Sequence, residues 1–178
     1  MWYFRTKKVI PCLAISGFIY MLGCAPLQIK EGIFSPPYKN YTITIPGTGK
    51  GWEQIRVDKE DIALWHKQHK AMIVVISSDI ENKKLSLDML NRHLFLGITN
   101  KKIVSKVTVL VDRHSALHTI LDGEMNNCQL KIDSYVIKRG DKVYDLVCWS
   151  PFDSFSSVQG DFESMVRNFK FAQREEQL

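Results

Sequence analysis

The sequence has no apolar run long enough to cross a bilayer as a helix. Its longest, residues 9–22, holds about 14 residues, against roughly 20 needed to span the hydrocarbon core. No block of five like charges occurs, which excludes a polybasic membrane patch. The formal charge of +5 comes from 24 Lys and Arg against 19 Asp and Glu. Arg5, Lys7 and Lys8 lie in the first 23 positions, so the rest of the chain carries 21 against 19, or +2. That is no footprint for nucleic acid. Cysteine is scarce, at four. Absent too are Cys-x-x-Cys, His-Glu-x-x-His and Gly-x-Ser-x-Gly. The sequence therefore offers no recognisable zinc set and no nucleophile elbow. There is no internal repeat and no low-complexity segment.

What the chain does have is an export signal. Arg5, Lys7 and Lys8 form a basic head, the apolar run follows, and Gly23 precedes Cys24. Head, short apolar core and small-residue cut site make a secretory signal. The Gly23-Cys24 end resembles a bacterial lipoprotein signal, with cleavage before Cys24 and palmitate-type lipid on the mature N-terminal cysteine. Met21 and Leu22 depart from the usual lipobox, which has Leu three before the cysteine and a small residue two before. An uncleaved anchor and simple secretion are the alternatives, and Pro11 and Gly17 weaken a long helix. In a host with two membranes, Ala25 rather than Asp after the cysteine implies the outer membrane, facing the periplasm.

The expected organisation is a signal peptide over 1–23, a lipidated cysteine and flexible tether over 24–40, one domain over 41–171 and a loose tail over 172–178. Pro26, Gly32, Pro36 and Pro37 mark the tether, which extended would span on the order of 50 Å. Removing 1–23 leaves 155 residues, one domain's worth. Tyr41, Ile43 and Ile45 alternate with threonines as a half-buried strand. Trp52, Ile55 and Val57 read as a second short strand paired with the first. Residues 58–70 are open between strand and helical turn, and 71–76 read as a central strand. Ser86 caps a helix over 87–98, with Leu87, Leu90, Leu94 and Ile98 at helical spacing. Strands follow over 102–112 and 115–124, then a hairpin of 129–138 with 142–149 around Arg139, Gly140 and Asp141. A polar loop over 150–157 leads to a helix over 161–169. Phe162, Met165, Val166 and Phe169 share one face of it. The expected class is α+β, a mostly antiparallel β-sheet packed with helices.

Tyr41 to Pro46 followed by Trp52 is similar to the opening strand, proline and tryptophan of PsbP-like and Mog1-like domains. The helix 87–98, the meander behind it and the closing run from Asp161 through Phe169 to Phe171 resemble the same superfamily. The resemblance covers 41–171 and implies an α/β/α sandwich. It also implies a binding or assembly-assisting protein with no universal catalytic set, so it transfers no catalytic residue and no cofactor.

His66 and His69 stand three apart, and His114 and His118 four apart. Such pairs share a face, but a metal site needs three or four ligands; no metal is expected. Gly47, Gly49 and Gly51 around Lys50 lack phosphate-loop spacing and read as a turn. Arg139, Gly140 and Asp141 match an adhesion tripeptide and also read as a turn. Trp149, Phe152 and Phe155 surround a loop. They are the candidate ligand or partner surface, with sealing of the sheet edge as the competing reading. Cys128 and Cys148 sit in a compartment that permits disulfides. A turn at 139–140 would place Cys148 opposite Lys131, and a loop of 139–141 would place it opposite Ile132. Neither register brings Cys128 within about 7 Å, so two free, largely buried thiols are expected.

The sequence thus reads as a lipid-anchored cell-envelope protein, non-catalytic, binding or assembling an envelope protein partner, with no cofactor and no nucleic acid. Two rivals stay open. One is a carrier of a small apolar ligand in a cleft between sheet and helix. The other is an enzyme whose site is assembled from scattered residues.

Overall fold

The structure, a computed structural model, describes residues 32–36, 39–57 and 60–172. The expected signal segment, Cys24 and all but Ala172 of the expected tail lie outside the described residues. Strands β1 (Gly32–Phe34), β2 (Tyr41–Ile45), β3 (Trp52–Gln54), β4 (Ile62–His66) and β5 (Ala71–Asp79) precede helix α1 (Leu87–Leu94). Four long strands follow: β6 (Thr99–Val111), β7 (His114–Met125), β8 (Cys128–Arg139) and β9 (Lys142–Pro151). Helix α2 (Phe155–Arg167) and β10 (Lys170–Phe171) close the fold. One antiparallel sheet runs β3-β4-β5-β9-β8-β7-β6, and a small second sheet runs β1-β2-β10. The α+β class is as expected.

Period-two alternation gives the large sheet two apolar faces. On face A, Ile73, Leu146 and Ile137 meet Phe162 and Met165 of α2 and Ile43 of β2. On face B, Val74, Val147 and Ile132 meet Phe95, just beyond α1. Face A is fastened by aromatics. Tyr41 stacks on Phe169 with centroids 5.0 Å apart and meets Tyr144 edge-on at 5.8 Å. The Tyr41 hydroxyl donates to Asp61 Oδ2 at 3.0 Å, tying β2 to the approach of β4. At the other end of β2, Trp52 Nε1 donates to Asp161 Oδ2 at 2.9 Å and Lys50 pairs with Asp161 Oδ1 at 3.0 Å. These contacts anchor α2 to β3. Gly51 has φ +83°, and a Cβ there would lie 2.6 Å from His66 Nε2, so only glycine fits this close approach.

Several local expectations change. Ser86 Oγ does accept from Met89 N at 3.2 Å, but α1 ends at Leu94. Gly97, at φ +91°, turns the chain into β6. Gly123 lies where a Cβ would come 2.4 Å from Ile98 Cγ2, so Ile98 packs directly over β7. β3 pairs with β4, not with β2; residues 62–66 resolve as the strand that separates it from β5. β2 is instead flanked by β1 and β10. β1 lies inside the stretch expected as a tether, which leaves residues 25–31 between Cys24 and the first described strand. α2 begins at Phe155, inside the expected loop.

The β8–β9 register also differs. The turn is Gly140-Asp141, with Arg139 opposite Lys142, so Cys148 faces Asp133 rather than Lys131 or Ile132. Cys128 lies five positions from Asp133 and points to the opposite face. Both thiols are free, as expected, but Cys128 is exposed and only Cys148 is buried. Burial first, then the Asp133 and Asp161 carboxylates, pushes the Cys148 thiol far above its usual range. Thiol titration of the native chain, corrected for any thiol in 1–31, should find Cys128 reactive at once and Cys148 reactive only on unfolding. Equal rates would contradict this register.

Phe169 lies past the end of α2, yet is fully buried at 0 % exposure, stacked on Tyr41 and edge-on to Phe171 at 5.0 Å. Phe169→Ala should lower unfolding free energy by roughly 3–5 kcal/mol, a large share of a total of about 5–15. A denaturant midpoint unchanged within error would show that this cluster does not hold the sheets together.

Candidate functional site

α2 runs over β9, β5 and β2, and Val111 and Ala116 at the turn end of the β6–β7 hairpin join its core while Val107 stays exposed. β6 forms one edge of the large sheet and pairs only with β7 among the described residues. It is 13 residues long, and its two-residue turn Asp112-Arg113 has both φ values positive, 44° and 66°. That geometry suits the right-handed twist of a tight hairpin. Val107 is 47 % exposed and Leu110 73 % exposed. Val107 opposes His118 and Val109 opposes Ala116, so Val107 and Val109 sit on face A beside Tyr135, the partner of His118 across β7–β8. Between this strip and α2 lies an open groove of about 750 Å³. Val109, Val111, Tyr135 and Val166 give it an apolar floor and wall, and Arg113, Glu163, Arg167 and Lys170 stand at its rim.

Opposite Val107 on the same face sits a hydrogen-bonded His–Asp pair. His118 Nε2 donates to Asp133 Oδ1 at 2.8 Å. The imidazole stacks on Tyr135, 4.1 Å between centroids and 8° between planes. Asp133 is fully buried, and its Oδ2 has no partner. Burial, then the Asp133 and Glu163 carboxylates, pushes the Tyr135 hydroxyl up to about 12, so it stays protonated at neutral pH. No hydroxyl or thiol donates to His118 among the described hydrogen bonds, so the pair lacks the nucleophile of a triad.

The candidate aromatics divide between the faces. Phe155 opens α2 on face A and is buried, while Phe152, at 40 % exposure, sits at the rim. Lys131 Nζ lies 5.5 Å from the Phe152 centroid and 5.8 Å from that of Phe155. Trp149 points to face B instead. There it lines a cleft of about 230 Å³ with Met72, Phe95, Ile98, Leu130 and Ile132.

The other candidates take structural places. His66 Nδ1 accepts from the backbone N–H of His69 at 3.3 Å, so its Nε2 donates to Lys50 O at 3.0 Å. Both nitrogens are occupied. His114 is held by Asp112 O at 2.7 Å and packs edge-on to Phe171. Among the described residues no three His, Cys, Asp or Glu side chains converge as metal ligands. Arg139 stacks over Phe171 at 4.7 Å, so the Arg-Gly-Asp tripeptide serves the hairpin. Sequence reasoning placed Val107, Val109 and Val111 on one strand face but missed that cover fades along it, with Val111 buried, Val109 half-buried against the core and Val107 exposed. No pattern within β6 records how far α2 reaches.

No family model and no curated protein matches the sequence. Solved structures do. The chain resembles the solution structure of cyanobacterial PsbP (CyanoP) from Synechocystis sp. PCC 6803 at 14% identity and TM-score 0.60, over 85% of this chain and 98% of that one. It resembles LpqN, described as involved in cell envelope biogenesis of Mycobacterium tuberculosis, at 10% identity and TM-score 0.60, over 81% and 91%. A Bacteroides thetaiotaomicron protein matches at 10% identity and TM-score 0.57, over 84% of this chain and 52% of that one. At such identities the likeness establishes the fold, which is PsbP-like, and leaves activity to be argued from the site.

His118→Ala should destabilise the domain by about 2–4 kcal/mol, because it leaves a buried carboxylate with no partner. Adding Asp133→Ala should recover part of that loss. Additive losses in the double variant would show that the two side chains do not interact.

Proposed function

We propose that this chain is a lipid-anchored envelope protein that binds a protein partner and catalyses no reaction, with Val107 on the β6–β7 hairpin and the groove beside α2 as its docking surface. The observation that carries the reading is the apolar strip of Val107 and Val109 beside the 750 Å³ groove along α2. Apolar surface next to an unpaired strand edge favours association. A partner segment with apolar side chains would suit the valine floor, and polar flanks would meet a mixed rim in which Lys170 pairs with Asp112 and Arg167 with Glu163. The Gly23-Cys24 junction supports anchoring. LpqN gives the fold a precedent in the cell envelope.

A second reading has its own support. The cleft around Trp149 is lined mainly by apolar side chains, as a carrier of a small apolar ligand would need. At about 230 Å³ it falls below the roughly 300–1,000 Å³ of common ligand sites, which favours the partner reading.

Crosslinking in the native envelope, with the full chain as bait, tests the docking surface. The native chain should crosslink to a defined envelope protein, and Val107→Glu, at an exposed position, should abolish that product while the melting temperature holds. An unchanged product would remove the hairpin from the interface. Mass spectrometry of the membrane-extracted N-terminus tests the anchor separately: a cleaved, acylated Cys24 is expected, and an intact Met1 contradicts it. Cofractionation with the inner membrane of a two-membrane host would contradict the outer-membrane assignment.

A further inference from the structure

Face B holds a carboxylate that no protein group answers. Asp145, on β9, lies between Ile76 of β5 and Val136 of β8 and points under α1. Its Oδ1 is sealed from solvent and has no hydrogen-bond partner. In front of it is a cleft of about 500 Å³. Leu85, Leu90, Leu94 and Val143 give the cleft apolar walls, and Asp79, Glu81 and His93 are the other titratable groups that line it. The nearby cations are already engaged. Lys142 pairs with Asp79 at 2.5 Å, and Lys138 Nζ donates to Leu85 O at 2.9 Å.

We infer that this cleft binds an organic cation, an ammonium group carrying a short apolar chain, with Asp145 as its counter-ion. An apolar wall takes the hydrocarbon, and the unanswered carboxylate takes the N–H donors. A charge-assisted contact of that kind is stronger than a neutral hydrogen bond. A neutral apolar ligand would bring the carboxylate no donor, and an anion would meet two further carboxylates. The site is separate from the face A groove and stands whether or not a partner docks there.

The empty site sets the pH dependence. Burial pushes the Asp145 carboxyl up to about 7 from its ordinary 3.8, so in the empty cleft it is largely protonated below neutrality. Binding a cation requires it to ionise, whereas an alkylammonium keeps its proton below about pH 9. Affinity should therefore rise from pH 6 to pH 8 and then level off. Stability of the empty protein runs the other way. The folded state holds this proton more tightly than the unfolded chain, so stability falls as pH rises from about 4 to about 7. Asp145→Asn should remove that fall.

Calorimetric titration of the full chain in nonionic detergent, with hexylammonium, hexanol and hexanoate as probes, decides the matter. Hexylammonium should bind once per chain, about tenfold or more tighter than hexanol, the order of one charge-assisted contact, and hexanoate should not bind. Asp145→Asn should erase the preference for hexylammonium over hexanol. Equal affinity for hexylammonium and hexanol on the native chain would overturn the proposal and leave a water-filled cleft. A preference that survives in Asp145→Asn would overturn it equally.

Discussion

The structure depends on a shortage of cover. A seven-stranded sheet has two faces to bury, and the described chain brings helices of 8 and 13 residues to do it. The longer helix and the small sheet go to face A, where Tyr41, Phe169 and Tyr144 lock them down. The shorter helix goes to face B. Neither helix spans strands each more than ten residues long in the β6–β7 hairpin. The exposed valines of β6, the groove along α2 and the clefts under α1 are all consequences of this one mismatch. The proposed binding role rests on it, because unfilled space adjoins apolar wall in each case.

Asp133, buried, and Asp145, half-buried, show how differently a sheet can treat a charge. Asp133 is answered within the fold by His118, whose ring is held flat against Tyr135. Such a pair adds little net stability, since desolvation offsets attraction, but it fixes the facing side chains of β7 and β8 in register. Asp145 has no such answer. A carboxylate that is neither paired nor useful would be replaced by an apolar residue at no loss to the fold. Its place at the inner wall of a cleft is what makes it informative, and its raised protonation point is the physical trace of the missing partner.

Most of the scaffold is legible in the sequence. Threonine–isoleucine alternation marks β2, and the Ser86 cap marks the start of α1. The buried stripe of Phe162, Met165 and Val166 marks α2. The hairpin register was not legible, because Arg139, Gly140 and Asp141 are all acceptable turn residues and composition cannot choose between a turn at 139–140 and one at 140–141. Pairing was not legible for β3, because only tertiary contacts such as Trp52 with Asp161 decide which neighbour it takes. Of the site, the sequence offered Trp149, Phe152 and Phe155 as one cluster. Period-two geometry sends Trp149 to face B, and the turn after Pro151 carries Phe155 to face A. Asp145 was invisible, since nothing local distinguishes a half-buried aspartate from an exposed one in a strand.

α1 is the least secured part of this arrangement. Its first turn is clasped to β6 by the Lys106–Asp88 pair, and the loop before it is tied by Lys138 to the carbonyls of Lys83 and Leu85. Exposed contacts of that kind add little stability, and an 8-residue helix has little stability of its own. Below it lies an orphaned acceptor rather than the stacked aromatics that hold α2. Segments with few buried apolar contacts open at lower free energy than the whole domain. α1 is therefore the element that can lift while face A stays closed, and the cleft it covers is the one that holds the unanswered charge. In this fold, access to Asp145 and the weakness of its lid have the same cause.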